Sequence, residues 1–275
     1  MSNLILKSPA KLNLYLKITK KYPNGFHELD TAFQLIDLCD VLEFDSSATN
    51  VSISCSDNSI KEHENIVYKV VMVMKERDKK NNGISINIIK NIPVGSGLGG
   101  GSSNAATTIL ALNKLWGLKL SNTELLSIGR SIGADVPFFI EGQNAYAKGI
   151  GDIFINKDAI SEKLVIIDPK IFNSSGKMFE KYDSRKIDNY IDNGFLQNSF
   201  WQIFMDENPD ILNFYKKNIN DFDICLSGSG SSMFIKYNND NEMEKILKII
   251  PTNWRFFLAK PLQYSPLKSL DSNGV

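Results

Sequence analysis

Residues 93–106 read Pro93-Val94-Gly95-Ser96-Gly97-Leu98-Gly99-Gly100-Gly101-Ser102-Ser103-Asn104-Ala105-Ala106, a glycine-rich loop running straight into a helical pattern. Closely spaced glycines let successive backbone N–H groups point into one concavity. Beyond the loop, Ala105, Ile109, Leu112 and Trp116 fall at i, i+4, i+7 and i+11, and Gly117 supplies a stop. A helix starting near Ser102 adds unpaired N–H groups and the positive end of its dipole, so loop and helix together form an anion site. Ser102 and Ser103 bring hydroxyls suited to phosphate or to a bound magnesium ion.

What surrounds the glycines separates the competing patterns. A Walker A loop ends in Lys-Ser or Lys-Thr, whereas Ser-Ser-Asn follows here. Gly95, Gly97 and Gly100 satisfy the dinucleotide fingerprint, but no acidic residue closes a following strand about twenty residues on. A flexible Gly/Ser linker is disfavoured because the helix begins at once.

Upstream, Leu12, Leu14, Leu16 and Ile18 alternate with Lys11, Asn13, Tyr15 and Lys17, the period of a half-buried strand with Lys11 and Asn13 on one face. Val51-Ile53-Cys55 and Ile84-Ile86-Ile88 alternate likewise, and Glu64 to Lys79 between them has helical content. Downstream, Ser121 with Glu124 forms a capping box for a helix that Gly133 closes. Strands are expected at Leu164–Ile167, Asp223–Leu226 and Met233–Tyr237, the last two flanking Ser227-Gly228-Ser229-Gly230-Ser231-Ser232. A helix from Asn241 and a strand at Arg255–Ala259 complete the chain, and the polar stretches Asp183–Asn193 and Asn238–Asn241 read as exposed loops or short helices. The order is mixed α/β, then α+β, with a soft boundary between Asp152 and Glu162.

Composition narrows the functions. The 275 residues, 43% of them hydrophobic, suffice for two packed domains. Thirty-one basic and 31 acidic side chains balance, against the basic footprint of a nucleic-acid binder. No segment reads as a signal peptide or membrane span, and three scattered cysteines suggest neither disulfides nor zinc, so a cytoplasmic protein is expected. With only His27 and His63 available, carboxylate, lysine and backbone chemistry lead.

The segment from Pro93 to Ala106 resembles the phosphate loop of the GHMP kinases, the superfamily of galactokinase, homoserine kinase and mevalonate kinase. Pro9-Ala10-Lys11-Leu12-Asn13-Leu14, Asn24-Gly25-Phe26-His27-Glu28-Leu29, Gly133-Ala134-Asp135-Val136-Pro137-Phe138-Phe139 and Leu226-Ser227-Gly228-Ser229-Gly230 follow that family's order over nearly the whole chain. The extra glycine, Ser-Ser-Asn-Ala-Ala and Gly-Phe-His resemble the branch that phosphorylates a cytidine-diphosphate-linked methylerythritol for isoprenoid synthesis.

The resemblance implies an α+β, two-domain GHMP kinase fold. Residues 1–156 would form a ribosomal-protein-S5-like ATP domain and 157–275 a ferredoxin-like substrate domain. Further implications are ATP and Mg2+ as cofactors, a small cytidine substrate, no nucleic-acid or membrane partner, and a monomer or weak homodimer.

Phosphoryl transfer to an alcohol needs a positioned hydroxyl, charge neutralisation and a proton acceptor. By resemblance, Asp135 is the base and Lys11 its electrostatic partner, while Pro93 to Asn104, with Asn65, hold the nucleotide. Asn13 would bind the erythritol hydroxyls. Phe26 and Phe179 would stack on the cytosine, His27 would read its edge, and Gly228, Ser229 and Gly230 would close over the substrate phosphates. Phe26 stands where the family more usually has tyrosine, which keeps the stacking surface and loses the hydroxyl. On residue type alone, Asp135 and Asn65 are equally well helix caps, the phenylalanines core, and Gly228 with Gly230 a tight hairpin.

Overall fold

A computed structural model describes residues 3–185 and 197–270. Two long strands, β1 (Asn3–Lys21) and β2 (His27–Asp45), form an antiparallel hairpin whose turn carries Gly25 at φ 86°. Next, β3 (Val51–Cys55), α1 (Ile66–Lys75) and β4 (Ile84–Ile89) make a parallel crossover. The phosphate-loop segment leads into α2 (Gly100–Leu115), then α3 (Asn122–Ile132) and the short α4 (Val136–Glu141). With β5 (Ala145–Lys148) and β6 (Ile153–Asn156) the first sheet has the order β3-β4-β2-β5-β6, and β1 pairs with β2.

The second sheet is antiparallel, in the order β10-β7-β9-β8, from β7 (Lys163–Asp168), β8 (Cys225–Leu226), β9 (Met233–Tyr237) and β10 (Arg255–Ala259). Its helices are α5 (Ser175–Ser184), α6 (Trp201–Glu207), α7 (Pro209–Asn218) and α8 (Asp240–Ile249). The chain thus adopts the expected α+β organisation. Of the polar stretch expected from Asp183 to Asn193, all beyond Arg185 lies outside the described residues.

Local chemistry explains the elements. Ser121 and Glu124 form the reciprocal capping box read from the sequence, and Gly133 follows the last turn of α3. Ala105, Ile109 and Leu112 are fully buried with Trp116 beside them, so α2 packs on the face its periodicity announced. At α1, Asn65 is the N-cap, its Oδ1 accepting from the Val67 N–H at 2.9 Å.

One expectation is corrected: β1 is not half-buried along Ser8–Asn13, where every residue is buried. Ala10 and Leu12 join Ile36, Ile92 and Leu98 in a core shared with Leu164, Ile166 and Phe234 of the second sheet. The opposite face, with Lys11 and Asn13, is covered by the glycine-rich loop and the β8–β9 hairpin, so both faces are closed. The chain's last described turn, a 3-10 helix at Pro266–Leu270, returns to the first core, where Leu267 is 2% exposed.

Candidate active site

The glycine-rich loop is held open by its backbone. Gly95, Gly97 and Gly99 have φ of 65°, 79° and 72°, the left-handed region that disfavours a Cβ, and Gly99 is the N-cap of α2. The surrounding elements grip the loop: Lys11 N–H donates to Leu98 O at 3.0 Å, Ser232 N–H to Ser96 O at 2.9 Å and Asn173 N–H to Gly95 O at 2.9 Å. From the β8–β9 hairpin, Ser227 Oγ donates to Gly97 O at 3.2 Å. The N–H groups at the start of α2 are thereby aimed at a cleft of about 1010 Å³ between the two sheets.

Lys11 and Asp135 meet at the floor of this cleft. Lys11 Nζ lies 3.6 Å from Asp135 Oδ2, donates to Asn13 Oδ1 and sits 5.2 Å from the centre of the Phe33 ring. Asn13 in turn donates to Thr31 Oγ1 at 2.8 Å, which fixes its amide. Lys11 is 5% exposed, so its charge needs these partners, while Asp135 remains 35% exposed toward the cleft. Asp135 is the N-terminal cap position of α4 but makes no side-chain capping bond, which leaves its carboxylate for the cleft.

A second wall carries the aromatic residues. His27 stacks on Phe179 with ring centroids 4.8 Å apart and planes 20° apart, and Phe179 meets Phe200 edge-on at 5.0 Å. His27 Nε2 is 2.8 Å from Asp183 Oδ1, and Lys21 Nζ donates to Asp183 Oδ2 at 2.7 Å. Phe26, 57% exposed, lines the same cleft but forms no ring pair with Phe179 among the described residues. At Asp183, partial burial alone would raise the carboxyl, but the hydrogen bonds from Lys21 and His27 and their charges outweigh it and hold it below the usual range.

Most residues singled out from the sequence line this one cleft: Lys11, Asn13, Phe26, His27, Asn65, Asp135, Phe179, Gly228 and Ser229, together with Pro93 to Gly97, Gly99 to Ser102 and Asn104. Three do not. Leu98 is buried in the core between the sheets, the Ser103 hydroxyl accepts from Ser8 Oγ at 2.8 Å beneath the loop, and Gly230 packs toward Leu226 and Phe204. The run Ser227–Ser232 is indeed a hairpin, closed by Ser227 N–H to Ser232 O, yet its Gly228 abuts Asn13 and Lys11.

Sequence reasoning missed Lys90, whose ammonium pairs with the fully buried Asp40 and lies under Gly100 at the cleft. Asp40 also accepts from the N–H groups of Asn91 at 2.7 Å and Ile92 at 2.9 Å, anchoring the strand end that launches the loop. It missed Asp183 too, although Phe179 and Asp183 are four apart on α5 and therefore share a face. Among the described residues no three His, Cys, Asp or Glu side chains cluster to hold a metal, and no helix is long and apolar enough to cross a membrane.

Known proteins are similar to this chain across its length. Residues 65–143 match the GHMP kinases N terminal domain. A protein of Marinomonas sp. (strain MWYL1) is 35% identical over 97% of this chain and 90% of its own, and one of Francisella philomiragia is 33% identical over 96% and 100%; both are named 4-diphosphocytidyl-2-C-methyl-D-erythritol kinase. A crystal structure titled 4-(cytidine 5'-diphospho)-2C-methyl-D-erythritol kinase superposes with a TM-score of 0.79 at 24% identity, covering 94% of this chain and 99% of that one. A mevalonate kinase from Methanococcus jannaschii gives 0.66 at 14% identity, covering 95% and 99%. Identity of 33–35% over nearly the whole of both chains makes this chain a member of the 4-diphosphocytidyl-2-C-methyl-D-erythritol kinase family of GHMP kinases.

Proposed function

We propose that the protein transfers the γ-phosphoryl group of ATP to the 2-hydroxyl of 4-diphosphocytidyl-2-C-methyl-D-erythritol, releasing ADP. The observation that carries this reading is the Lys11–Asp135 pair on the floor of one cleft, with the glycine-rich loop at one side and the His27–Phe179 wall at the other. The same name on relatives that match nearly the whole chain supports it.

The geometry supports the following roles. Pro93 to Gly97, Gly99 to Ser102 and Asn104 cradle the nucleotide phosphates through backbone N–H groups and the α2 dipole, and Asn65, whose Oδ1 is spent on capping, offers its amide nitrogen to the adenine. Asp135 accepts the proton of the attacking hydroxyl as that oxygen bonds to the γ-phosphorus and the bond to ADP breaks. Lys11, 3.6 Å from Asp135 Oδ2, offsets the charge developing on the hydroxyl oxygen, while Asn13 orients the erythritol. Gly228 and Ser229 close the substrate-phosphate side, while Gly230, packed toward Leu226 and Phe204, shapes the hairpin that carries them.

At the base end, His27 hydrogen-bonds the cytosine edge. A base bonded edge-on to the imidazole shares its plane and therefore runs within about 20° of parallel to Phe179, which the ring stack already fixes. Phe26 supplies the opposite, exposed stacking surface.

Magnesium suits this site as an ion carried in on the nucleotide. Asn104 and Ser102 line the cleft, and the buried Asn104 Oδ1 has no hydrogen-bond partner among the described residues, so these two side chains would hold the ion beside the phosphates, where it would neutralise their charge. We further assign residues 1–156 to the ATP-binding domain and 157–275 to the substrate domain, with the return of Leu267 to the first core as a strap between them. Three free cysteines fit a reducing cytoplasm.

The test is ADP release from Mg-ATP with 4-diphosphocytidyl-2-C-methyl-D-erythritol, homoserine, mevalonate and galactose as parallel acceptors. Turnover confined to the cytidine compound is expected. Turnover with another acceptor would overturn the substrate assignment, and ATP binding without turnover on any of them would overturn the activity.

A further inference from the structure

At the open end of the cleft, two strand ends and one helix converge on a single carboxylate. Lys21 and His27 are cross-strand partners at the turn of the β1–β2 hairpin, and both reach Asp183 on α5. Each oxygen has its own donor: Oδ2 takes Lys21 Nζ at 2.7 Å and Oδ1 faces His27 Nε2 at 2.8 Å. Among the described residues His27 has no other side-chain hydrogen bond, its ring is clamped flat against Phe179, and it lines the cleft.

This arrangement places an imidazole proton on Nε2. An ionised carboxylate is an acceptor only, so a nitrogen hydrogen-bonded to it must be the N–H. A neutral His27 with its proton on Nε2 presents Nδ1 as a bare acceptor. The exocyclic amine of cytosine donates from the position where uracil carries an acceptor carbonyl. An acceptor at Nδ1 bonds the first and repels the second, and a fixed repulsion discriminates as strongly as an attraction.

We propose that Asp183 is a positioning residue for base selection: by holding the proton on His27 Nε2, it turns Nδ1 into an acceptor that admits a cytosine base and rejects uracil. The proposal rests on the reading that His27 faces the base. Lys21 secures the carboxylate but does not touch the imidazole, so its part is accessory.

Steady-state kinetics with the cytidine substrate and its uridine-diphosphate counterpart, joined to nitrogen NMR of the His27 ring, test it. Asp183→Ala is expected to raise KM for the cytidine substrate about tenfold with kcat held, and to narrow the cytidine-to-uridine ratio of kcat/KM about tenfold. The His27 signals should shift from the Nε2–H form to a mixture of tautomers, whereas Lys21→Met should leave the ratio unchanged.

Preservation of both ratio and tautomer in Asp183→Ala, while His27→Ala abolishes the ratio, would overturn the role of Asp183 and leave the base reading standing. A ratio untouched by His27→Ala would remove the base reading and this proposal with it. The wild-type protein gives an answer independent of any variant's folding, because a His27 proton found on Nδ1 overturns the proposal directly.

Discussion

Replacing Gly97 by alanine tests whether the phosphate loop is clamped by the second half of the chain. A Cβ at Gly97 would lie 2.1 Å from the carbonyl oxygen of Ser227 and 3.0 Å from that of Gly230, both backbone atoms that cannot swing away. Ordinary contact begins at 3.4 Å, so loop and hairpin must part by about 1.3 Å (3.4 − 2.1). The residue also sits at φ 79°, which costs a non-glycine residue about 1–2 kcal/mol, and overpacking adds about 1–3 kcal/mol. A loss of roughly 2–5 kcal/mol follows, which at about 2–4 °C per kcal/mol lowers the melting temperature by roughly 4–20 °C. Displacing catalytic N–H groups by an ångström should cut kcat/KM for ATP by about a hundredfold.

Gly101→Ala is the matched contrast. Its Cβ would meet only Ile66 Cγ2 at 3.8 Å, and alanine is the better residue in a helix by about 0.5–1 kcal/mol. That variant should melt no lower than the parent yet bind ATP more weakly, because the methyl projects beside the phosphates. Differential scanning fluorimetry and ATP titrations read both. A Gly97→Ala protein with unchanged melting and unchanged ATP kinetics would refute the clamp.

Asp135→Asn should keep ATP binding and lose about 10²–10⁴ in kcat, and Lys11→Met should fall by about 10²–10³, both read by coupled ADP assay; a near-normal rate removes the residue from its role. Phe26→Ala should raise KM for the cytidine substrate several-fold at constant kcat if this exposed, cleft-lining ring is the proposed stacking plane, and an unchanged KM refutes that role. Asp40→Ala strips Lys90 and two backbone N–H groups of their buried acceptor and should cost about 3–5 kcal/mol in urea unfolding. Burial pushes the Cys39 thiol up to about 11 and the Cys225 thiol up to about 12. A raised pKa lowers the thiolate at a given pH, to roughly one part in a thousand or less at pH 8, so mass spectrometry after alkylation should find both unlabelled until the protein is unfolded.

What the sequence revealed was local, and what it hid was long-range. The α2 stripe and the Ser121–Glu124 box could be read because each depends on residues a few positions apart. The burial of Lys11 could not, because its cover comes from a loop ninety residues on and a hairpin more than two hundred residues on: Asn13 N–H reaches Ser227 Oγ across 214 positions. Helix α4 was hidden by Pro137, which suggests a turn but suits the first turn of a helix. Within the site, the motif residues stood out by their resemblance to the GHMP kinase segments, whereas Lys90 looked like any lysine at a strand end until Asp40, 50 positions away, was found beneath it. The stack of His27 on Phe179 likewise joins residues whose separation carries no periodic signal.

The return of Leu267 to the first core gives the order of synthesis a consequence. Ser265 N–H bonds Gly142 O at 2.8 Å and Leu262 N–H bonds Leu35 O at 2.9 Å, so a stretch emerging late from the ribosome finishes a structure whose other parts emerged early. Until then the groove awaiting Leu267 stays wet, and the nascent chain presents apolar surface for as long as the intervening hundred or so residues take to translate. Slow translation over that interval is the moment at which a chaperone has most to protect.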